Sequence, residues 1–338
     1  MLQHSLEGSG IESLDTGAIA TTWLNLGETG VAIFFLVSGF IIPASAQSTP
    51  TLRDFWVRRA LRIYPLYWFV FAITLGLSVT LLGRPHPAAA STLLTHVVFI
   101  QEWVGVNNYV GGSWTLFIEL IWYMLFATAY FSKIAIERRL VWLSLVAYAT
   151  AIVVGPFLFH HFPLGRVSLL ALCCFGYSYL LRLEDRIGAR EFSVVAVLFI
   201  LLIAAALFIG FHLHPSGRTG EPSFSCVTVS WSLALLAFAL LFRYRNSRLA
   251  HSSVLRWLGE ISYSVYLLHA PTMLVLRHFH VSGFSFVLLN FAITIPVSTL
   301  TFRYVERPGV AFARRLTHRR LRSVPAEVAI VVDPATRG

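Results

Sequence analysis

Long apolar stretches separated by short polar segments recur along the whole chain. Nine of them approach the roughly 20 residues that a helix needs to cross a hydrocarbon layer of about 30 Å. They cover residues 27–46, 63–83, 114–132, 140–158, 166–181, 193–212, 224–242, 258–276 and 284–302. A further apolar stretch, Thr92 to Ile100, is too short to cross and indicates a re-entrant or interfacial piece of a long loop. The pattern predicts an all-α polytopic membrane helical bundle with nine visible spans.

Composition supports a membrane protein and argues against a nucleic-acid-binding protein. Hydrophobic residues make up 57% of the chain and charged residues 12%, and the mean hydropathy is +0.71. The net charge of +10 is compatible with nucleic-acid binding in principle. However, the basic residues lie in short clusters between apolar stretches, where a membrane protein places its cytoplasmic loops. We therefore expect the lipid bilayer, and not nucleic acid, as the partner. Two of the three cysteines lie inside one apolar stretch, so no disulfide framework is implied.

Lys and Arg residues are distributed very unequally between alternate loops. Assigned to the two faces that the nine spans define, 22 of the 26 lie on one face and only Arg84, Arg166, Arg218 and Arg277 on the other. Basic residues near helix ends are retained on the cytoplasmic side. The pattern predicts a multi-pass inner (plasma) membrane protein with a cytoplasmic C-terminus. It divides the chain into a membrane domain, residues 27–304, and a basic cytoplasmic tail, residues 305–338, for which contact with anionic lipid is a sufficient explanation.

The first 26 residues depart from this pattern. They contain Glu7, Glu12 and Asp15 but no Lys or Arg, and they lack an apolar stretch long enough to span. Residues 1–26 are therefore predicted to form an external loop. A membrane helix before Met1 would raise the number of spans to ten and place both termini in the cytoplasm. The alternative is a nine-helix protein with an exported N-terminus.

Five short motifs follow one another along the chain. They are GVAIFFLVSGF (Gly30–Phe40), FWVRRALRIYP (Phe55–Pro65), SWTLFIE (Ser113–Glu119), LGEISYSVYLLH (Leu258–His269) and YVERP (Tyr304–Pro308). In order and spacing they resemble the acyltransferase 3 family of bacterial membrane O-acyltransferases, over nearly the whole chain. The resemblance implies ten membrane helices. It also implies transfer of acetyl or similar groups from cytoplasmic acyl-CoA, most simply acetyl-CoA, to surface glycans or small glycosides.

His4 is the candidate general base. It lies 26 residues before Gly30, where family members place a histidine at the end of their first helix; the rest of that helix is not seen in this sequence. Acyl transfer to a sugar hydroxyl needs a group that takes the hydroxyl proton, and imidazole titrates near neutral pH. Without the resemblance, an exposed terminal histidine would be the simpler interpretation.

Arg59 and Arg62 are the candidate donor-binding cations. They are three residues apart on a predicted helix and so share a face, while Arg58 and Arg62 have the four-residue spacing. Guanidinium groups bind phosphate bidentately, and the predicted cytoplasmic position suits the phosphates of acyl-CoA. The alternative is an ordinary interfacial belt, because aromatic residues flank these arginines.

Glu119 and His269 are candidates for supporting catalytic roles. Glu119 is the only acidic residue well inside an apolar stretch, and ionisable groups at that depth are costly unless paired. We expect it to orient a base or a sugar hydroxyl, or else to pair with an Arg or Trp of a neighbouring helix. His269 lies near the middle of its span and faces either the acyl group or a hydrogen-bond partner in the bundle. Ser38 and Gly39 are more typical of close helix packing than of nucleophilic catalysis.

No metal site is expected. Nine histidines fall on the outer face of the predicted topology, but no carboxylate or cysteine has ligand spacing to them. They are His4, His86, His96, His160, His161, His212, His214, His278 and His280. Apart from His4, we interpret them as interfacial residues of short loops.

These features predict a membrane enzyme that transfers an acyl group, most simply acetyl, from cytoplasmic acyl-CoA to a hydroxyl of a cell-surface or lipid-linked carbohydrate. Two other classes remain open at this point. A transporter or flippase for a surface glycan would share the topology and the buried polar residues. A catalytically inactive membrane scaffold is favoured only if the missing helix is absent.

Overall fold

Helices occupy the places that the apolar pattern predicts. The computed structural model describes residues 1–10, 22–83, 90–101, 103–106, 108–132, 138–159, 162–212, 222–248 and 251–323. The helices are α1 (Leu2–Ser9), α2 (Leu26–Gln47), α3 (Leu52–Leu82), α4 (Ala90–Val97), α5 (Ser113–Phe131), α6 (Arg138–Leu158), α7 (Leu164–Leu183), α8 (Ala189–His212), α9 (Phe224–Arg243), α10 (Ser253–His278), α11 (Gly283–Thr301) and α12 (Arg307–Ser323). A π-helical turn, Phe302–Glu306, joins α11 to α12. The fold within these described ranges is all-α, as predicted.

Within the described residues, eight helices are long and apolar enough to cross a membrane, by length and composition alone. They are α2, α3, α5, α6, α7, α8, α9 and the continuous helix Gly283–Thr317. The ninth predicted span, 258–276, is helical and lies within α10, but it is not among the eight. Polar residues such as Glu260, Ser262 and His269 lower the hydropathy of α10. The chain is a multi-pass membrane protein, whereas the count of nine or ten spans is not established.

Polar caps fix where several helices begin. The side chains of Asn25, Thr51 and Ser223 each accept a hydrogen bond from the backbone N–H three residues later, at the starts of α2, α3 and α9. Such caps satisfy N–H groups that have no partner within the helix. At the other end of α3, Gly83 adopts φ +61°, the left-handed conformation that glycine accepts without strain.

The N-terminal segment contains a short helix that the sequence did not suggest. Within residues 1–26, expected to form an external loop, α1 packs against α10, α11 and α2. The Asn290 amide donates a hydrogen bond to Ser5 Oγ at 2.6 Å, and the Leu26 N–H donates to Gln3 Oε1 at 3.3 Å. These contacts hold α1, and with it His4, against the helix bundle.

His96 does not lie at the surface, where we expected it. The segment Thr92 to Ile100 contains α4, and His96 is fully buried there, with Nδ1 2.8 Å from the hydroxyl of Tyr67 on α3. The interpretation of His96 as an interfacial residue was therefore wrong. A polar side chain can be buried when it finds a hydrogen-bond partner on a neighbouring helix, and hydropathy alone does not report such partners.

Small residues bring α2 and α7 into backbone contact near the centre of the bundle. A Cβ atom at Gly39 would overlap the carbonyl oxygen of Cys173 and lie 2.7 Å from its Cα, and one at Gly176 would overlap the carbonyl oxygen of Leu36. Helices in lipid associate through such close approaches. The predicted packing role of Gly39 is confirmed.

Replacing Gly39 with alanine is expected to destabilise the bundle by about 1–3 kcal/mol or more, since the added methyl group pushes α2 from α7. Thermal unfolding in detergent measures the effect. The matched control is Gly76→Ala on α3, where an added Cβ meets open space and improves helix propensity by up to about 1 kcal/mol. Equal transition temperatures for the two variants would contradict the close α2–α7 contact.

Candidate active site

One cavity of about 1070 Å³ brings together the five residues that the sequence singles out. It is enclosed mainly by α1, α2, α3, α5 and α10, and its wall includes His4, Arg59, Arg62, Glu119 and His269. These residues come from helices as distant in sequence as α1 and α10. Only the tertiary structure brings them into one cavity wall. Ligand and catalytic sites in membrane bundles are characteristically built in such interhelical cavities.

Two histidines stack at one end of the cavity. The rings of His4 and His269 are 5.5 Å apart between centroids and within 13° of parallel. Nδ1 of His4 lies 3.1 Å from Oε2 of Glu7, and Nδ1 of His269 lies 2.7 Å from the carbonyl oxygen of Tyr266. A carboxylate and a carbonyl oxygen only accept hydrogen bonds, so in a neutral ring Nδ1 carries the proton in both cases. Each Nε2 is then left with its lone pair, as a base requires.

The position of His269 is fixed by contacts between α10 and the start of α5. The hydroxyl of Tyr266 donates to the carbonyl oxygen of Gly112 at 2.9 Å and lies 2.8 Å from Thr115 Oγ1. Gly112 has φ +78°, and a Cβ atom there would lie 2.5 Å from the Tyr266 hydroxyl oxygen. Glycine is needed at this position for its conformation and for the space. His269 itself is buried, with 6% of its surface exposed.

Two arginines of α3, Arg59 and Arg62, line the cavity, as does Arg277 of α10. Arg59 is buried between the rings of Phe55 and Tyr123, at 5.6 and 5.5 Å from their centroids. Its buried Nε has no hydrogen-bond partner in the described part of the chain. Arg62 lies one turn further along α3 and also faces the cavity. Arg58 instead donates from Nε and Nη2 to Thr317 on α12, at 3.1 Å each, so the structure separates it from the other two.

Glu119 lies close to Arg59 and Arg62. Its carboxylate is buried, accepts a hydrogen bond from the hydroxyl of Tyr123, and is near enough to Arg59 and Arg62 to interact electrostatically with both. A buried carboxylate of this kind compensates buried guanidinium charge. The sequence left open whether Glu119 faces the site or pairs with an arginine, and the geometry is compatible with both.

The sequence interpretation missed three cavity residues. The Glu7 carboxylate contacts Nδ1 of His4, and the Tyr123 hydroxyl donates a hydrogen bond to Glu119. Glu28 lines the cavity wall. The spacing of His4 and Glu7, three residues apart, would have revealed their pairing if the segment had been recognised as a helix. Tyr123 stands four residues after Glu119, on the same helix face, which is a usable signal of the same kind.

Cavity residues include no cluster that suggests a metal site. Among the residues that the structure describes, no group of three or more His, Cys, Asp or Glu side chains could hold a metal ion. His86, His160, His161 and His214 lie outside the described residues.

Comparison with known proteins identifies the family. A family model for an acyltransferase domain, acyltransferase 3, matches residues 4–303. The acyltransferase MdmB of Streptomyces mycarofaciens is 27% identical, over 92% of this chain and 86% of its own. The putative peptidoglycan O-acetyltransferase YrhL of Bacillus subtilis (24% identical, over 90% of this chain) and the O-acetyltransferase OatA of Staphylococcus aureus (23%, over 85%) are also similar. The chain spans about half the length of the latter two, 54% and 53%.

No solved structure gives a significant match. The family model nevertheless covers the first motif to the last span, including each cavity residue named above. The chain belongs to the acyltransferase 3 family of membrane acyltransferases.

Proposed function

We propose that this membrane acyltransferase moves an acetyl group from cytoplasmic acetyl-CoA to a hydroxyl of a cell-surface or lipid-linked carbohydrate. One observation carries the proposal: the wall of a single cavity contains both the stacked imidazoles of His4 and His269 and the guanidinium groups of Arg59 and Arg62. A donor phosphate and an acceptor hydroxyl can be bound in that cavity at the same time. Binding both reactants in one site supplies the proximity on which transfer depends.

Arg59 and Arg62 bind phosphate groups of the donor in this proposal. Both face the cavity, and the guanidinium group of Arg59 is not fully hydrogen-bonded by the residues that the structure describes, since its buried Nε has no partner among them. Glu119 balances their charge when no donor is bound and keeps the guanidinium groups oriented. Arginine is suited to this role because its planar fork matches two phosphate oxygens.

His4 acts as the general base. As the acceptor hydroxyl oxygen attacks the thioester carbonyl carbon, Nε2 of His4 takes the hydroxyl proton. The new C–O bond forms, the C–S bond breaks, and the departing thiolate takes the proton back from the imidazolium. Glu7 stabilises that imidazolium through its contact with Nδ1 at 3.1 Å. His269, stacked on His4, orients the ring and the reacting hydroxyl.

The relatives support the choice of acceptor and acyl group. Two of them are named O-acetyltransferases, and one of these names specifies peptidoglycan. In this proposal the membrane acyltransferase domain comprises residues 27–304. Residues 1–26 are on the external side of the membrane, and residues 305–338 are the tail on the cytoplasmic side. The distribution of 22 basic residues on one face supports this orientation, which places Arg59 and Arg62 on the side where acyl-CoA occurs.

Sealed membrane vesicles of known orientation test the proposal. Acetyl-CoA labelled in the acetyl group does not cross the bilayer, so label added outside inverted vesicles should reach octyl glycosides and polyprenyl-linked sugars. The same label outside right-side-out vesicles should give little transfer. If neither orientation transferred label to any acceptor, the proposal would fail in favour of a transporter or scaffold. Transfer only by right-side-out vesicles would reverse the proposed orientation.

A further inference from the structure

Glu28 is a carboxylate in the cavity wall that the proposed reaction does not use. It lies in the first turn of α2, and Asn25, Leu26 and Gly27 line the cavity beside it. This turn is close to the base: a Cβ atom at Gly27 would lie 3.9 Å from Cε1 of His4. Whatever Glu28 binds is therefore held at the end of the cavity where the hydroxyl proton is removed.

Glu28 is held in place by two helices. The side chain of Asn25 accepts a hydrogen bond from the Glu28 N–H at 3.0 Å, and the Trp231 indole on α9 donates to Glu28 Oε2 at 3.2 Å. Ser230, next to Trp231, accepts from the Asn25 N–H at 2.9 Å. These contacts fix the backbone and one carboxylate oxygen, which reduces the entropy lost when a ligand binds.

The second carboxylate oxygen, Oε1, is left without a hydrogen bond within the described parts of the chain, and Glu28 forms no ion pair there. An ionised carboxylate in a half-buried site is costly unless donors satisfy it. Hydroxyl groups are such donors, and hydrogen bonds to a charged acceptor are stronger than neutral ones.

A cationic ligand fits the site less well than a neutral polyol. His4 becomes an imidazolium during transfer, and a second positive charge nearby would oppose its formation. Neutral hydroxyls carry no such penalty, and a sugar offers a second hydroxyl beside the one that reacts.

We infer that Glu28 binds a hydroxyl of the acceptor adjacent to the one that is acylated, so that the enzyme selects polyhydroxylated acceptors over simple alcohols. Trp231 is a positioning residue for that carboxylate. The inference rests on the proposed function and deepens it, because it names the chemical feature by which the acceptor is chosen.

The test compares wild type with Glu28→Gln in detergent, using labelled acetyl-CoA, the best octyl glycoside and its monodeoxy analogues. We expect the KM for the glycoside to rise about tenfold or more in Glu28→Gln, since a charge-assisted hydrogen bond is lost. Removing the adjacent hydroxyl from the glycoside should raise the acceptor KM of wild type. The same change should raise the acceptor KM of Glu28→Gln only slightly further. Glu28→Asp keeps the charge and should keep the dependence on that hydroxyl, and Trp231→Phe should raise KM by a smaller factor.

Glu184→Gln is the matched control, because Glu184 is exposed, is not part of the cavity wall, and contacts Gln47 and Arg186 at the surface. It should leave every constant unchanged. An acceptor KM within twofold of wild type in Glu28→Gln, or an equal penalty for the missing hydroxyl in both proteins, would overturn the inference while leaving the proposed function intact. Failure of wild type to acetylate any glycoside would overturn the proposed function instead.

Discussion

The variant His4→Ala is expected to transfer acetyl groups about 10² to 10⁴ times more slowly than the intact chain, because it lacks general-base assistance. Donor binding should change little, since the proposed phosphate contacts are made by Arg59 and Arg62 on α3 and not by His4 on α1. Steady-state transfer of labelled acetyl to a glycoside gives kcat and the donor KM separately. A loss in kcat at constant donor KM indicates an interaction made only in the transition state.

The matched control for this result is His278→Ala, at the exposed C-terminal end of α10. The His278 ring packs edge-to-face against Phe279 and does not line the cavity, so the rate of the variant should equal that of wild type. The companion variant Glu7→Gln should show a smaller fall in transfer rate than His4→Ala, because the His4 imidazolium would lose its carboxylate partner but the base would remain. A fully active His4→Ala protein would remove His4 from the mechanism.

Loss of Arg59 and Arg62 is expected to have the second large effect. In the double variant Arg59→Ala/Arg62→Ala, the donor KM should rise about 10²-fold or more, since each charge-assisted hydrogen bond contributes about 1.5–3 kcal/mol. Arg59→Lys should also bind the donor poorly, because an ammonium group cannot bind two phosphate oxygens in the same way. Isothermal binding of a hydrolysis-resistant acetyl-CoA analogue measures donor affinity without turnover.

Arg58→Ala is the control, since this neighbouring arginine contacts Thr317 and not the cavity. Removal of Arg59 also leaves the buried Glu119 carboxylate uncompensated, which is destabilising in itself. The double variant should therefore be repeated with Glu119→Gln, which removes that charge and restores folding. Normal donor affinity in a folded protein that lacks both arginines would exclude them as the phosphate site.

The elements that the sequence predicts well are those with a strong local signal. The spans α2, α3 and α8 were predicted because about twenty apolar residues in a row have few alternatives to a membrane helix. Gly39 was predicted as a packing residue because small residues permit close approach, and its contact with Cys173 is of that kind. The motifs then led from these spans to Arg59, Arg62 and Glu119.

Other features depend on contacts that no local pattern encodes. The helix α1 is short and polar, and its place depends on partners such as Asn290, which is 285 residues from Ser5. The stacking of His4 on His269 joins residues of α1 and α10. Glu28 stands at the start of an apolar stretch, where an acidic residue looks like an ordinary helix terminus. Its exposure to the cavity becomes visible only once α1, α2 and α9 are placed.

A structure of the chain with an unreactive acetyl-CoA analogue, in which the thioester sulfur is replaced by a methylene group, tests most directly whether one cavity serves both reactants. We expect phosphate oxygens within hydrogen-bond distance of Arg59 and Arg62, and the acetyl carbonyl inside the cavity between Glu119 and His4. Binding of the analogue with its acetyl group outside the cavity, or with its phosphates away from both arginines, would contradict the proposed site.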